Sequence, residues 1–173
     1  WGEFGKGWSN EVGTLAMRSP YYESIIAYPV PWCKSTKKAK KCELVMLDQL
    51  DSANIDKLGD AIKGKIVMIK PGNTSMPDAF KAYATRFGDT SLDKLGEMYM
   101  VSRKQIEEFL PFIKREYYTR LYLAAKGAVG LVLSSRGSID GTVFVDGGTG
   151  YKKGFEPTLP EMKIGREDYL KLM

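Results

Sequence analysis

Ala124-Ala125-Lys126-Gly127-Ala128-Val129-Gly130-Leu131-Val132-Leu133 holds the end of a helix, its glycine cap and the start of a buried strand. Upstream of it, Ile106, Leu110, Ile113, Tyr117, Leu121, Ala124 and Ala128 recur at spacings of three or four, which is one apolar stripe on a helix over Ser102 to Lys126. Pro111 cannot donate to the Glu107 carbonyl, so the pattern predicts a kink there or two helices. Gly127 suits the left-handed conformation that ends a helix. Val129–Leu133 is then a continuous apolar run, as expected of a strand covered on both faces. Lys65-Ile66-Val67-Met68-Ile69-Lys70 reads the same way, launched by Gly64 and stopped by Pro71-Gly72. Strand, helix and strand in that order predict a right-handed crossover with the two strands parallel.

The pattern extends outward from this unit in both directions. Ser24–Tyr28 and Glu43–Leu47 read as strands, and Asn54–Ile62 as a short helix capped by Asp51 or Ser52. Ser9 is placed to cap a helix over Asn10–Arg18, with Pro20 as its stop. Pro77-Asp78-Ala79-Phe80 reads as a helix start. Toward the end of the chain, Gly141-Thr142-Val143-Phe144-Val145 and Pro160-Glu161-Met162-Lys163-Ile164 read as strands. Gly165 precedes a last helix with Glu167 and Asp168 in its first turn, favourable to the helix dipole. The expected class is α/β in the mixed α+β sense, a mixed sheet or partly open β-barrel flanked by helices.

The 173 residues contain no histidine and two cysteines, which removes the imidazole needed by most zinc, copper and Ser-His-Asp or Cys-His chemistry. Carboxylate-only metal sites, Ser-Lys pairs and two-carboxylate hydrolysis pass that test. No apolar run approaches the length of a membrane span. The opening WGEFGKGWSN is not a signal peptide, and the chain ends inside a helical run, so both ends read as cut from a longer protein.

Charge is concentrated. Lys34, Lys37, Lys38, Lys40 and Lys41 occur with no acidic residue among them, and setting them aside leaves 21 basic against 21 acidic residues. A solvated hairpin tip accounts for such a run; attraction to nucleic acid or an anionic surface is the other reading. Nucleic-acid binders spread Arg and Lys along a face with aromatics interleaved, so no nucleic-acid partner is expected. Cys33 and Cys42 bracket the run. They are read as a disulfide closing the loop, as two free thiols, or as metal ligands.

Candidate sites are few. The glycines of 146–154 lack the order of a phosphate-binding loop, because the lysines follow them with no hydroxyl after. Ser134-Ser135-Arg136-Gly137 follows a strand, where only lysine or a carboxylate is available as base. Asp140 and Asp146 could share a face, without a third ligand. No catalytic, cofactor or metal set assembles.

Taken in order, Gly64-Lys65-Ile66-Val67-Met68-Ile69, Ala124 through Leu133, and Pro160-Glu161-Met162-Lys163-Ile164-Gly165-Arg166-Glu167-Asp168-Tyr169 resemble the protease-associated domain. Gly141–Val145 and Glu167-Asp168-Tyr169 look like the form inserted in secreted bacterial aminopeptidases of the co-catalytic di-zinc family. Pro20-Tyr21-Tyr22 and Ala27-Tyr28-Pro29 are similar to the stretch before that insert. The resemblance implies a non-catalytic domain of a secreted or periplasmic peptidase, with the zinc held by residues outside it. Its partners would be the catalytic domain of the same polypeptide and a peptide or protein substrate. Residues 1–32 would form an aromatic leader joining the parent peptidase, and 33–173 the domain itself, as one structural unit. The loops Ser134–Asp140 and Asp146–Phe155 are expected to face the cleft, with Arg136, Asp140, Asp146 and Tyr151 as substrate- or partner-facing residues. A stand-alone interaction module using the leader and basic loop is the alternative, and a small Ser-Lys or carboxylate hydrolase a third.

Overall fold

The computed structural model describes residues 5–71, 86–98, 100–135, 141–151 and 153–173. The helix start expected at Pro77–Phe80 lies outside them, as do Trp1 and Phe4 of the leader.

Among the described residues seven strands form two sheets. β1 (Leu15–Met17) and β2 (Glu23–Ile25) make an antiparallel pair, Leu15 facing Ile25 and Met17 facing Glu23. The main sheet has the order β3 (Ala27–Pro29), β7 (Glu161–Ile164), β6 (Gly130–Ser134), β5 (Ile66–Ile69), β4 (Leu44–Leu47). Four of its strands are parallel, and β3 closes one edge antiparallel to β7. This is an open mixed sheet with two free edges, so the barrel alternative is not what forms. The expected parallel pairing is present: Val67 of β5 faces Leu131 of β6, and Met68 faces Val132.

The apolar runs of β5 and β6 follow from burial on both faces. Val67, Leu131, Leu47 and Leu159 meet Ile55, Ile62 and Leu123 on one side. Met68, Val132 and Ile164 meet Ile25 and Tyr169 on the other. The first layer comes from α1 (Ser52–Leu58), the 3₁₀ turn Gly59–Ile62 that continues it, and α4 (Arg103–Ala125). The second comes from α5 (Arg166–Lys171) and the β1–β2 pair. Two short helices, α2 (Asp89–Asp93) and α3 (Leu95–Met98), precede α4. Each fully buried Leu, Ile or Val contributes about 1.5–3 kcal/mol to holding these layers together. Tyr169 adds a polar clasp: its hydroxyl accepts from the Ile69 N–H at 2.7 Å and donates to the Ile69 carbonyl, satisfying the end of β5.

Local expectations fare unevenly. Asp51 is the α1 cap, accepting from Asn54 N at 2.8 Å. Gly127 takes φ +89 and its N–H bonds the Ala124 carbonyl, as a left-handed helix stop requires. α5 starts with Glu167 and Asp168 in its first turn. By contrast, the helix expected over Asn10–Arg18 is a strand. Leu15 and Met17 alternate with exposed Ala16 and bury against the second core, so period two wins over the cap signal. The strand expected over Ser24–Tyr28 is two strands in different sheets, with exposed Ile26 between them.

Of the two expectations for the long helix, the division into two helices does not occur. α4 runs through Pro111 as one element, opened by a capping box in which Ser102 Oγ accepts from Gln105 N and Ser102 N donates to Gln105 Oε1 at 2.8 Å. The residues around Pro111 lie in solvent, where a carbonyl without its helical donor is met by water. The expected stripe is used only in part: Tyr117 is buried, while Ile106, Leu110 and Leu121 are exposed, and the fully buried residue near the end of the helix is Leu123, which lies off the stripe. No helix among the described residues is long and apolar enough to cross a membrane.

Candidate functional site: a strap over the sheet edge

Register puts Glu161 and Lys163 of β7 on the α4 side of the sheet, beside Leu131 and Leu133. Both are buried, and the charge of each is met by a partner. Arg120 of α4 donates through Nε to both Glu161 oxygens at 3.1 Å and through Nη1 to Glu116. Burial, countered by the Arg120 charge, holds the Glu161 carboxyl above the ordinary carboxylate range. Lys163 reaches Asp146, which belongs to the segment 141–151.

That segment is a strap. The strand expected at Gly141–Val145 does not form, because β7 already has β6 on one edge and β3 on the other. The chain instead passes over the face of β7. Its first anchor is Ser135: the hydroxyl accepts from Phe144 N at 2.7 Å and lies 3.2 Å from the Phe144 carbonyl oxygen. Asp146 is the second. Beyond it the strap meets the backbone of Pro31 and Trp32 so closely that a Cβ on Gly148 or Gly150 would lie 2.4 Å from a carbonyl oxygen.

The far end closes on Trp32, whose φ of +57 is in the left-handed region, unfavourable for a bulky residue by roughly 1–2 kcal/mol. Its surroundings hold it there. The indole N–H donates to the Lys6 carbonyl at 3.0 Å, and the ring lies 4.4 Å, centroid to centroid, from Tyr151. Lys6 in turn donates to the Gly150 and Phe155 carbonyls and pairs with Glu156. Phe155 stacks on Tyr117 of α4 at 4.1 Å. The leader, the β3 exit, the strap and α4 therefore meet at one point.

Of the expected site residues, Arg136 and Asp140 lie outside the described residues. Asp146 sits midway along β7, paired with Lys163, and Tyr151 lies at the Trp32 junction. The two loops expected to share a cleft thus lead to opposite ends of the sheet, Gly141 beside Gly165 at the C-terminal ends of the parallel strands and Tyr151 near their starts. Beside Gly141 is a notch of ≈ 330 Å³ lined by Ile26, Gly165, Glu167 and Asp168. Its carboxylates and apolar wall favour a cationic group over an anion, with no nucleophile among the lining residues.

The lysine run is not a hairpin tip. β3 and β4 are opposite edges of the sheet, so 30–43 crosses four inter-strand steps of about 4.8 Å, roughly 19 Å. Lys34 N bonds the Leu159 carbonyl, seating Cys33 on the β7 side, whereas Cys42 leads into β4. A disulfide needs Cα atoms within about 7 Å. Both thiols are free, contrary to the bridged reading. Burial pushes the Cys33 thiol up, and its sulfur lies 3.6 Å from the Glu161 carbonyl oxygen, which works the other way.

Neither the Arg120–Glu161 pair nor the Trp32 junction is in the sequence reading. Glu161 and Lys163 alternate with Met162 and Ile164 in a strand of a covered sheet, and two charges on one face of such a strand are the signal that could have found the pair.

No family model matches the sequence, and no curated protein matches it. Among solved structures the chain is similar to BSAP, a zinc aminopeptidase from Bacillus subtilis, with a TM-score of 0.46 and 13% identity. The superposition covers 93% of this chain and 29% of that one, and a likeness at this level carries no functional argument.

Proposed function

We propose that this chain is a non-catalytic domain of the protease-associated type, carried by a secreted or periplasmic zinc aminopeptidase and shaping substrate access to it. The observation that carries the reading is where the resembling stretches fall. Gly64–Ile69 leads into and forms β5, Ala124–Leu133 is the α4–β6 junction, and Pro160–Tyr169 is β7 and α5, each adjacent in one sheet or packed on it. Three short motifs thus assemble one structural unit, where unrelated matches would scatter.

Ser135 supports the non-catalytic part. Its hydroxyl accepts from the Phe144 N–H and directs its proton to the Phe144 carbonyl, so it tethers the strap, whereas an attacking serine must give that proton to a base. The donor set does not fit zinc either. The chain has no histidine, and among the described residues no three Cys, Asp or Glu side chains gather. The proposal therefore places the metal's ligands elsewhere in the polypeptide and derives no step through it.

In this reading the notch beside Gly141 faces the substrate, and Arg136 and Asp140 are assigned to substrate contact on sequence position alone. The exposed apolar half of α4 is assigned to contact with the rest of the polypeptide. The test replaces residues 27–173 in the full-length enzyme with a flexible linker. Hydrolysis of a short aminoacyl anilide should be retained while KM for longer peptides changes several-fold. Equal kinetics on every substrate would refute the assignment, as would turnover by the isolated chain that is lost on Ser134→Ala or Ser135→Ala.

A further inference from the structure

The crossover 30–43 runs beneath the starting ends of the parallel strands, and a lysine stands at every one of them. Lys41 leads into β4, Lys63 and Lys65 into β5, Lys126 into β6, and Lys34 is bonded through its N–H to Leu159 just before β7. Lys37, Lys38 and Lys40 fill the crossover between them, all exposed.

The acids at this end are largely used. Lys65 engages Glu43 at 3.0 Å and Lys126 engages Asp56 at 2.8 Å, leaving Asp60, one turn before Lys63. Among the described residues none of Lys34, Lys37, Lys38, Lys40 and Lys41 forms an ion pair. The opposite end of the sheet carries Asp48, Asp51, Glu167 and Asp168 together with Lys70, which pairs with Asp48 at 2.6 Å, and Lys171, which pairs with Asp168 at 3.4 Å. The lysines without an acidic partner are thus concentrated at one end of the strands, whereas acids and lysines are matched at the other.

We propose that this end is a docking face for the headgroup plane of an anionic lipid bilayer. The face is laid across the width of a sheet, so its charges can meet a plane together. Its cations are all lysine, compact charges without the planar fork that Arg brings to phosphate or base recognition. The crossover also lacks a stacking platform for single-stranded nucleic acid, since Trp32 at its start is occupied by Tyr151 and Gly147. Juxtaposed lysines attract an anionic leaflet additively and lose that attraction within a Debye length, so binding is steep in salt. The opposite end, where acids and lysines are paired, would then face away from the bilayer.

The test is co-sedimentation of the chain with phosphatidylcholine vesicles and with vesicles containing about 30% phosphatidylglycerol, at about 50 mM and about 500 mM salt. Binding should favour the anionic vesicles by at least about tenfold at low salt and fall by at least about tenfold at high salt. Lys38→Glu/Lys40→Glu should abolish the preference, with folding checked by circular dichroism. Lys94→Glu/Lys114→Glu, the same charge change on α4 and its approach, should leave binding within about twofold. Equal loss in both double variants would reduce the effect to net charge and overturn the proposal. So would equal binding to both vesicles, or tighter binding to a single-stranded oligonucleotide than to the anionic vesicles.

Discussion

Replacing Arg120 by Met keeps the aliphatic stem against α4's surroundings and removes the guanidinium that serves Glu161. Glu161 is 4% exposed, and its two oxygens each lie 3.1 Å from Arg120 Nε, so water cannot take over. Glu116, the other partner, is more exposed and is rehydrated. Removing one member of a buried pair costs about 3–5 kcal/mol. For a domain of this size that lowers Tm by roughly 6–20 °C at about 2–4 °C per kcal/mol. Arg120→Met/Glu161→Met removes both charges, and thermal unfolding followed by circular dichroism should show it regaining most of the loss. The pH dependence supplies a second reading. Glu161 has a folded-state pKa above its unfolded one, so it favours the folded state at acid pH, and that contribution is lost as pH rises through the folded value. Glu161→Gln has no such loss, so its stability relative to wild type should rise as pH increases above the ordinary carboxylate range. A loss below about 1 kcal/mol in Arg120→Met, or a double variant no better than the single, would refute the reasoning.

Tyr169→Phe leaves the Ile69 N–H and carbonyl without their clasp and should cost about 1–3 kcal/mol in urea unfolding; an unchanged midpoint would mean water substitutes for the hydroxyl. Gly148→Ala drives a Cβ into the Pro31 carbonyl and should cost about 1–3 kcal/mol, whereas Gly147→Ala meets only the edge of the Trp32 ring at 3.3 Å and should cost less; the reverse order in Tm would place the strap elsewhere. Without reductant, the denatured chain should take up two alkyl groups by intact mass, and in the native state Cys33 should react more slowly than free cysteine; absence of both adducts would restore the bridged reading.

What could be read from the sequence was what is local or doubly buried. β5, β6, β7 and α5 announce themselves because a continuous apolar run, a capping glycine or a first-turn acid is visible within a few residues. Adjacency between distant segments was not visible. Ser24–Tyr28 and Glu43–Leu47 look like the arms of a hairpin, yet β3 and β4 occupy opposite edges, and that error carried the lysine run and the cysteine pair with it. Gly141–Val145 has strand composition but arrives where no edge of β7 is open. The same blindness hid Glu161, whose partner lies 41 residues away.

The pairing of β3 with β7 joins Ala27 to Ile164, across nearly the whole chain. The sheet therefore cannot be completed until β7 has been synthesised and released. A nascent chain released only as far as Pro160 would hold β6 with one side unpaired and β3 with no neighbour at all. Such an edge, apolar and unblocked, is the kind that joins other chains. During synthesis, the interval between β6 and β7 is when this chain would most need a chaperone.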